Sequence, residues 1–538
     1  MYDYIIVGAG SAGCVMANRL SEDPSVRVLL IEAGSTDDKP EIHIPIAFAT
    51  LFQTSYDWAY VTEAQPHLKN RQVDWPRGKM LGGSSSLNIM VYIRGNELDY
   101  DQWCDDGNPG WGFADVLPYF KKAERQQRGA SRYHGAEGPM YVADARSPNI
   151  LSRTFLKAGI ESGLTFNNDF NGASQEGVGL AQLTQKRGMR DSAADAYLRP
   201  ALRRPNLVVM TDTLVQRVLF EDRRACGVAC VREGEEEEIL ASREVILCAG
   251  AINSPQLLLL SGVGSAEQLQ SHGVSVVTHL PGVGENLQDH LLVPVCYTCR
   301  RPVSLASAKG LGNLLKFILF KRGPLTSNIG EGVAFYKTQK DLPAPDLEMA
   351  FTPVSYLDQQ HHGFTLGPIL LAPRSRGYLA LRSSDPHQSP LIQPNYLEQS
   401  ADLQVLVDGV KLARRIASAQ ALAPYRGEEF SPGVQVQSDE EIADFIREYA
   451  TTVYHPVGTC KMGSDTRAVV DSELRVRGVR NLRVVDASIM PTLVRGHTNA
   501  AAIMIAEKAA DLMKDVTYTP AEVADVAAEQ APVLSGED

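Results

Sequence analysis

The stretch that decides the fold is Tyr4-Ile5-Ile6-Val7-Gly8-Ala9-Gly10-Ser11-Ala12-Gly13. It runs into Cys14-Val15-Met16-Ala17-Asn18-Arg19-Leu20 and is followed by Val26-Arg27-Val28-Leu29-Leu30-Ile31-Glu32-Ala33-Gly34. The first apolar run reads as a strand buried on both faces. In Gly8-x-Gly10-x-x-Gly13 the first glycine allows a tight turn and the second lets backbone approach a pyrophosphate. The third permits close helix–strand packing. Ser11 and Ala12 open a helix whose first N–H groups are free to meet an anion. The second strand ends at Glu32, with Ala33 next, where a carboxylate can accept from a ribose hydroxyl. Together these residues predict a dinucleotide-binding βαβ unit.

The motif does not by itself choose between FAD and NAD. Its position at the start of the chain leans toward FAD. The chain around it has 538 residues, and at ~150 residues per domain that length suggests three or four units. Its 44 glycines are ordinary in number and informative only in placement. With 52 Lys and Arg against 64 Asp and Glu the net charge is −12. This balance argues against a nucleic-acid partner and against a broadly basic lipid-binding surface.

Eight cysteines are sparse for a disulfide scaffold. The one CxxC, Cys296 to Cys299, lacks a second pair or nearby histidines, so no metal site is expected and a pair of strand cysteines is. The N-terminus has no basic and apolar leader, and no apolar run is long enough to span a bilayer. The expected location is cytoplasmic, in a reducing compartment, with peripheral contact at the inner membrane left open.

Farther along, residues 35–75 read as a long irregular extension. Residues 78–101 hold a Gly/Ser turn and a helix. Strands are expected near Leu207–Thr211, Val215–Phe220, Val245–Leu247 and Tyr378–Arg382, and helices near 402–418 and 438–449. Leu311–Lys321 is an apolar amphipathic segment with three readings. It covers the substrate-binding part, lines the substrate entrance, or touches a membrane that holds a quinone pool.

Three more segments bear on the cofactor. Gly78-Lys79-Met80-Leu81-Gly82-Gly83-Ser84-Ser85-Ser86-Leu87-Asn88, with Tyr92, Gly95 and Asp101, is the first. Gly250-Ala251-Ile252-Asn253-Ser254-Pro255-Gln256-Leu257-Leu258, with Ser261-Gly262-Val263-Gly264, is the second. The third comprises Tyr454-His455-Pro456-Val457-Gly458-Thr459-Cys460 and Asp486-Ala487-Ser488-Ile489-Met490-Pro491. The Gly82-Gly83-Ser84 turn offers N–H groups and hydroxyls suited to phosphate or a flavin edge. Taken together the segments resemble the glucose–methanol–choline (GMC) oxidoreductases, over nearly the whole chain.

The resemblance implies an α/β (α+β) fold. A Rossmann-like FAD-binding domain (1–152, 190–297 and 451–515) is interleaved with an antiparallel-sheet substrate-binding domain (153–189 and 298–450). Residues 516–538 are expected to form a mobile tail. The resemblance also places Asn88, Ile89, Met90 and Val91 along the isoalloxazine and the backbone of Val215 at the adenine. It places Asp486 and Ala487 at the pyrophosphate or ribityl chain. Thr498, Asn499 and Ala500 would start a helix facing the flavin pyrimidine oxygen, where its N–H groups favour the charge of reduced flavin. Leu87 stands where choline oxidase has a histidine bonded to its flavin, so FAD is expected to be noncovalent.

By the same resemblance His455 and His497 meet over the flavin N5 edge. There a neutral imidazole can take the hydroxyl proton of an alcohol while the α-carbon delivers hydride. His455 is expected as the principal base and His497 as its partner. His497 departs from the choline-type members, which carry Asn there, and so points to an apolar aliphatic or aromatic primary alcohol. His290, in Gln288-Asp289-His290, reads as a packed, hydrogen-bonded residue. The expected activity is an alcohol dehydrogenase passing electrons to a quinone or another acceptor. The alternatives are an oxidase that reduces O2 to H2O2 and a flavin-retaining lyase. The oligomeric state is left open.

Overall fold

The βαβ signature folds as its spacing predicts. In the computed structural model, which describes residues 1–308, 310–358 and 360–516, strand β1 (Tyr2–Val7) is buried from Tyr4 onward. Helix α1 (Ser11–Leu20) follows and leads to β2 (Val28–Ile31), four buried residues in a row. Gly13 shows why the motif needs glycine, since a Cβ there would lie 1.8 Å from the Gly8 carbonyl oxygen. The helix can therefore lie against the turn that feeds it.

Downstream come β3 (Gly177–Leu180), β4 (Leu207–Met210), β5 (Thr213–Glu221), β6 (Arg224–Arg232) and β7 (Glu235–Leu247). Helix α2 (Gly250–Leu260) precedes the short strand β8 (Leu291–Leu292) and β9 (Val295–Cys299). Helix α3 (Leu311–Phe320), β10 (Gly332–Tyr336), β11 (Leu347–Thr352) and β12 (Gly363–Leu370) follow. Later among the described residues come α4 (Ser400–Ser418), β13 (Arg426–Ser431), β14 (Thr451–Thr452), β15 (Leu482–Val484) and α5 (Thr498–Met513).

The first sheet runs β4-β2-β1-β7-β6-β5, with β15 beside β7. Its β4, β2, β1, β7 and β15 are mutually parallel, and β5, β6 and β7 form an antiparallel meander. Strand β7 serves both parts. Its Glu-rich start pairs with β6, and Val245–Leu247 sits between β1 and β15. The expectation of strands at 215–220 and 245–247 missed this hairpin, because Glu235–Glu238 lack apolar alternation and face solvent.

The second sheet runs β13-β9-β12-β11-β10-β3, with β8 against β12 and β14. All its pairs are antiparallel. It takes in β8, β9 and β14, so it reaches a few residues beyond the 298–450 limits expected for the substrate-binding part. Cys296 and Cys299 lie on β9 as expected, and all eight cysteines are unpaired. Helix α4 packs on its outer face, and buried apolar residues of both sheets join in one core. Among the described residues no helix is long and apolar enough to cross a membrane. Apart from Val516, the tail expected over 516–538 lies outside the described residues.

Candidate active site

Parallel strands end with their carbonyls and the following turns on one side of a sheet, and ligands of such sheets sit there. A cavity of about 970 Å³ lies at that edge, between the ends of β1, β2, β7 and β15 and the inner face of the second sheet. One end is lined by Gly8, Gly10, Ser11, Ala12, Glu32 and Ala33. Val215 lies on the wall after β4. Gly83 and Ser84, then Asn88, Ile89, Met90 and Val91, continue along it. Asp486, Ala487, Thr498 and Asn499 close the opposite side, and His455 and His497 stand at the end under the second sheet. Gly13, Gly82 and Ala500 do not line the cavity, although each adjoins a residue that does.

Backbone dominates the first end. Glu32 Oε2 accepts from the Ala9 N–H at 2.8 Å and Oε1 from the Gly34 N–H at 2.9 Å. Burial lifts its carboxyl to about 7. Gly83 lies against Gly10, where a Cβ would come 2.7 Å from the Gly10 Cα. Gly10 itself is open, since the nearest atom to a Cβ there is the Cys248 carbonyl oxygen at 3.9 Å. Its missing side chain is therefore room inside the cavity. Neither α1 nor α5 has a side-chain cap on its first turn, and Ser11 Oγ donates to Asn499 Oδ1 at 2.6 Å, tying the two helix starts together. Asp486 accepts from the Gly250 N–H at 2.9 Å and the Ser488 N–H at 2.8 Å. Two uncapped helix starts, a glycine cradle and a buried acid at a strand end suit the pyrophosphate and ribose of FAD. Leu87, buried on the wall, has no atom that can bond to a flavin.

Side chains dominate the other end. Strand β11 alternates, so Glu348, Ala350 and Thr352 face the cavity. Met349 and Phe351 turn into the core, where Phe351 stacks on Phe155 at 4.7 Å. The Met349-Ala350-Phe351 run thus supplies one small wall residue, and the apolar wall comes instead from Leu292, Val333 and Ile369.

His455 and His497 meet edge to face with ring centroids 4.9 Å apart. His290, expected as a packed residue, is one, and its partner is His455. The two Nδ1 atoms lie 2.9 Å apart, and His290 Nε2 is 3.1 Å from the Leu371 carbonyl oxygen. A carbonyl only accepts, so His290 carries its proton on Nε2 and presents a bare Nδ1. His455 must then donate from Nδ1, which leaves its Nε2 without a proton. Burial pulls His290 down to about 3. Burial, and then the neighbouring His497 and His290, pull His455 well below the usual imidazole range. Both rings are neutral near pH 7.

The backbone at His455 is held as firmly as its ring. Its N–H donates to Asp289 Oδ1 at 2.7 Å, and Asp289 also accepts from Tyr396 and Thr452. Burial raises Asp289 to about 6. Tyr454 takes φ +66°, rare for a bulky residue. It is fixed there by Arg77, which donates to its carbonyl at 2.7 Å, and by Thr452 Oγ1, which accepts from its N–H at 2.6 Å. Glu348 Oε1 lies 3.3 Å from His497 Nε2, and both residues are buried. Sequence reasoning missed Glu348, Asp289 and Arg77. Period-two alternation along 347–352 was the one signal that could have found Glu348.

Comparison with known proteins identifies the family. The GMC oxidoreductase family description matches residues 2–292 with its N-terminal part and 373–506 with its C-terminal part. The chain is 48% identical over 527 residues to "Alcohol dehydrogenase [acceptor]" of Pseudomonas putida, covering 95% of this chain and 96% of that one. It is 48% identical over 538 residues to mitochondrial choline dehydrogenase of Homo sapiens, covering 95% and 90%. The crystal structure of pyridoxine 4-oxidase from "Mesorbium loti" superposes with a TM-score of 0.88 at 34% identity, covering 96% of this chain and all of that one. The chain therefore belongs to the GMC oxidoreductases, as an FAD-dependent enzyme that acts on alcohol CH–OH groups and holds its cofactor noncovalently.

Proposed function

We propose that this enzyme oxidises a primary alcohol, apolar aliphatic or aromatic, to the aldehyde and passes the electrons to a quinone or similar acceptor. FAD, when bound, supplies the hydride acceptor. The observation that carries the reading is the hydrogen-bonded chain Leu371–His290–His455, which leaves His455 Nε2 bare on the cavity wall. That nitrogen takes the hydroxyl proton, a step worth about 10²–10⁴-fold. His497, whose Nε2 is held 3.3 Å from the Glu348 carboxylate, stands beside His455 as the polar partner that positions the alcohol hydroxyl.

Leu292, Val333, Ala350 and Ile369 favour an apolar carbon skeleton and exclude water from the reacting face. Glu348 disfavours an alcohol that bears a carboxylate. We propose that Gly8, Gly10, Ser11, Ala12, Glu32, Ala33, Val215, Asp486 and Ala487 hold the dinucleotide. Gly83, Ser84, Asn88 to Val91, Thr498 and Asn499 hold the flavin, while Gly13, Gly82 and Ala500 support their neighbours. The likeness to an acceptor-linked alcohol dehydrogenase supports a dehydrogenase over an O2-dependent oxidase.

Anaerobic mixing with a panel of primary alcohols tests the reading. Loss of flavin absorbance that returns slowly in air and quickly with a quinone is the expected result. Fast return in air with H2O2 would make the enzyme an oxidase. No bleaching by any alcohol would leave the flavin-retaining lyase.

A further inference from the structure

Helix α3 is turned inside out for a water-soluble protein. Leu311, Leu314, Leu315, Ile318, Leu319 and Phe320 are between 41% and 72% exposed, and only Phe317 is buried. A helix covering the substrate-binding part would hide that face and show its polar one. The turns on either side, Leu305–Ser307 and Pro324–Thr326, carry Leu305, Ala306 and Leu325 into the cavity wall. The exposed helix is therefore continuous with the rim of the cavity.

Its surroundings reverse the charge of the chain. From His290 to Gly330 there is no Asp or Glu, while Arg300, Arg301, Lys316, Lys321 and Arg322 are cationic, in a protein of net charge −12. A neighbouring turn adds to them. Gly188 lies against the Lys321 carbonyl, where a Cβ would come within 2.6 Å, and the preceding Lys186 and Arg187 are exposed. Lys321 Nζ sits 4.6 Å from the centre of the buried Phe317 ring, at the C-terminal end of the helix beside the exposed Phe320.

A second copy of the chain on this face would set like charges against one another, because a two-fold interface pairs a patch with itself. An anionic lipid surface satisfies both properties at once, the apolar side chains entering the acyl boundary and the cations meeting headgroups. We infer that α3 and its basic flanks dock the rim of the cavity onto an anionic lipid bilayer. The inference deepens the proposed quinone-linked oxidation and rests on that reading for its purpose: a lipid-dissolved acceptor or apolar alcohol reaches the cavity without crossing water.

Flotation of the FAD-loaded, full-length protein on vesicles separates the two questions, because it requires no turnover. The protein should float with phosphatidylcholine–phosphatidylglycerol vesicles and far less with phosphatidylcholine alone. Leu315→Glu combined with Ile318→Glu should cut the bound fraction at least about tenfold. Lys316→Glu with Lys321→Glu and Arg322→Glu should abolish the preference for phosphatidylglycerol. Both variants should turn over alcohol with a soluble dye acceptor at the wild-type rate. Wild type that stays off phosphatidylglycerol vesicles, or a Leu315/Ile318 variant that floats as well as wild type, overturns the inference. So does a wild-type dimer, seen by sedimentation, that this variant splits while neither form floats. Normal flotation with no turnover of any alcohol would remove the oxidation reading and leave the docking surface standing.

Discussion

The two ends of the cavity are built from different materials. At the parallel sheet the wall is mostly backbone, with glycines 8, 10 and 83, the starts of α1 and α5, and two buried acids that accept backbone N–H groups. Under the antiparallel sheet it is side chains, with Glu348, His455 and His497 drawn from three separate segments and His290 buried behind His455. A backbone site tolerates little variation in shape and carries little chemistry. A side-chain site carries the chemistry and can be altered one atom at a time. Variants at the first end should therefore act on cofactor retention, and variants at the second on rate and specificity.

The largest effect expected is from Gly10→Val. A Cβ there meets only the Cys248 carbonyl oxygen at 3.9 Å, so the protein should fold while the branched side chain fills the cavity. It should purify with a near-native melting curve and almost no FAD, read from the ratio of flavin to protein absorbance. A full FAD complement would break the assignment of this end. Next, His455→Ala should keep its flavin and lose about 10²–10⁴ in kcat. A loss of FAD there, or an unchanged kcat, would show that the two ends are not separable in this way.

His290→Leu should lower kcat by about tenfold, the worth of one hydrogen bond of about 1–1.5 kcal/mol. His290→Asn, whose side-chain carbonyl can still accept from His455 Nδ1, should recover most of it. Equal losses in the two would mean that His290 only fills space. In wild type the acid limb of kcat/KM should fall below the ordinary imidazole range. Burial holds His455 well below 6.5, so the neutral base persists as pH drops through that value. A limb at or above 6.5 would place the titrating base elsewhere. The smallest effect is expected from Glu348→Gln, which keeps the shape and removes the charge. It should improve kcat/KM for a carboxylate-bearing alcohol relative to its neutral analogue by about fivefold, or ~1 kcal/mol. No change in that ratio would show that Glu348 acts on His497 alone.

The contrast between the ends also explains what could be read in advance. Gly8, Gly10, Gly13 and Glu32 form a contiguous pattern, because a turn, a helix start and the end of the next strand are neighbours along the chain. The strands at 207–210 and 245–247 were legible from their apolar runs. The Glu-rich start of β7 was not, because its order comes from pairing with β6. At the other end only motif context marked His455 and His497. The hydrogen-bonded chain from the Leu371 carbonyl through His290 to His455 joins residues remote in sequence, and nothing local announces it. Nor does the order Met349-Ala350-Phe351 say which side chain faces the cavity until the strand is paired.

The sequence alone determined the βαβ unit, from short-range spacing, and the cofactor class, from motifs that carry the family resemblance; it singled out His455 and His497 only as candidates through the same motifs. Only the tertiary structure decided which nitrogen of His455 is bare, that Glu348 stands against His497, and that α3 turns its leucines outward. Hydrogen-bond direction, strand facing and helix exposure are settled by what packs against a residue, and those neighbours come from elsewhere in the chain.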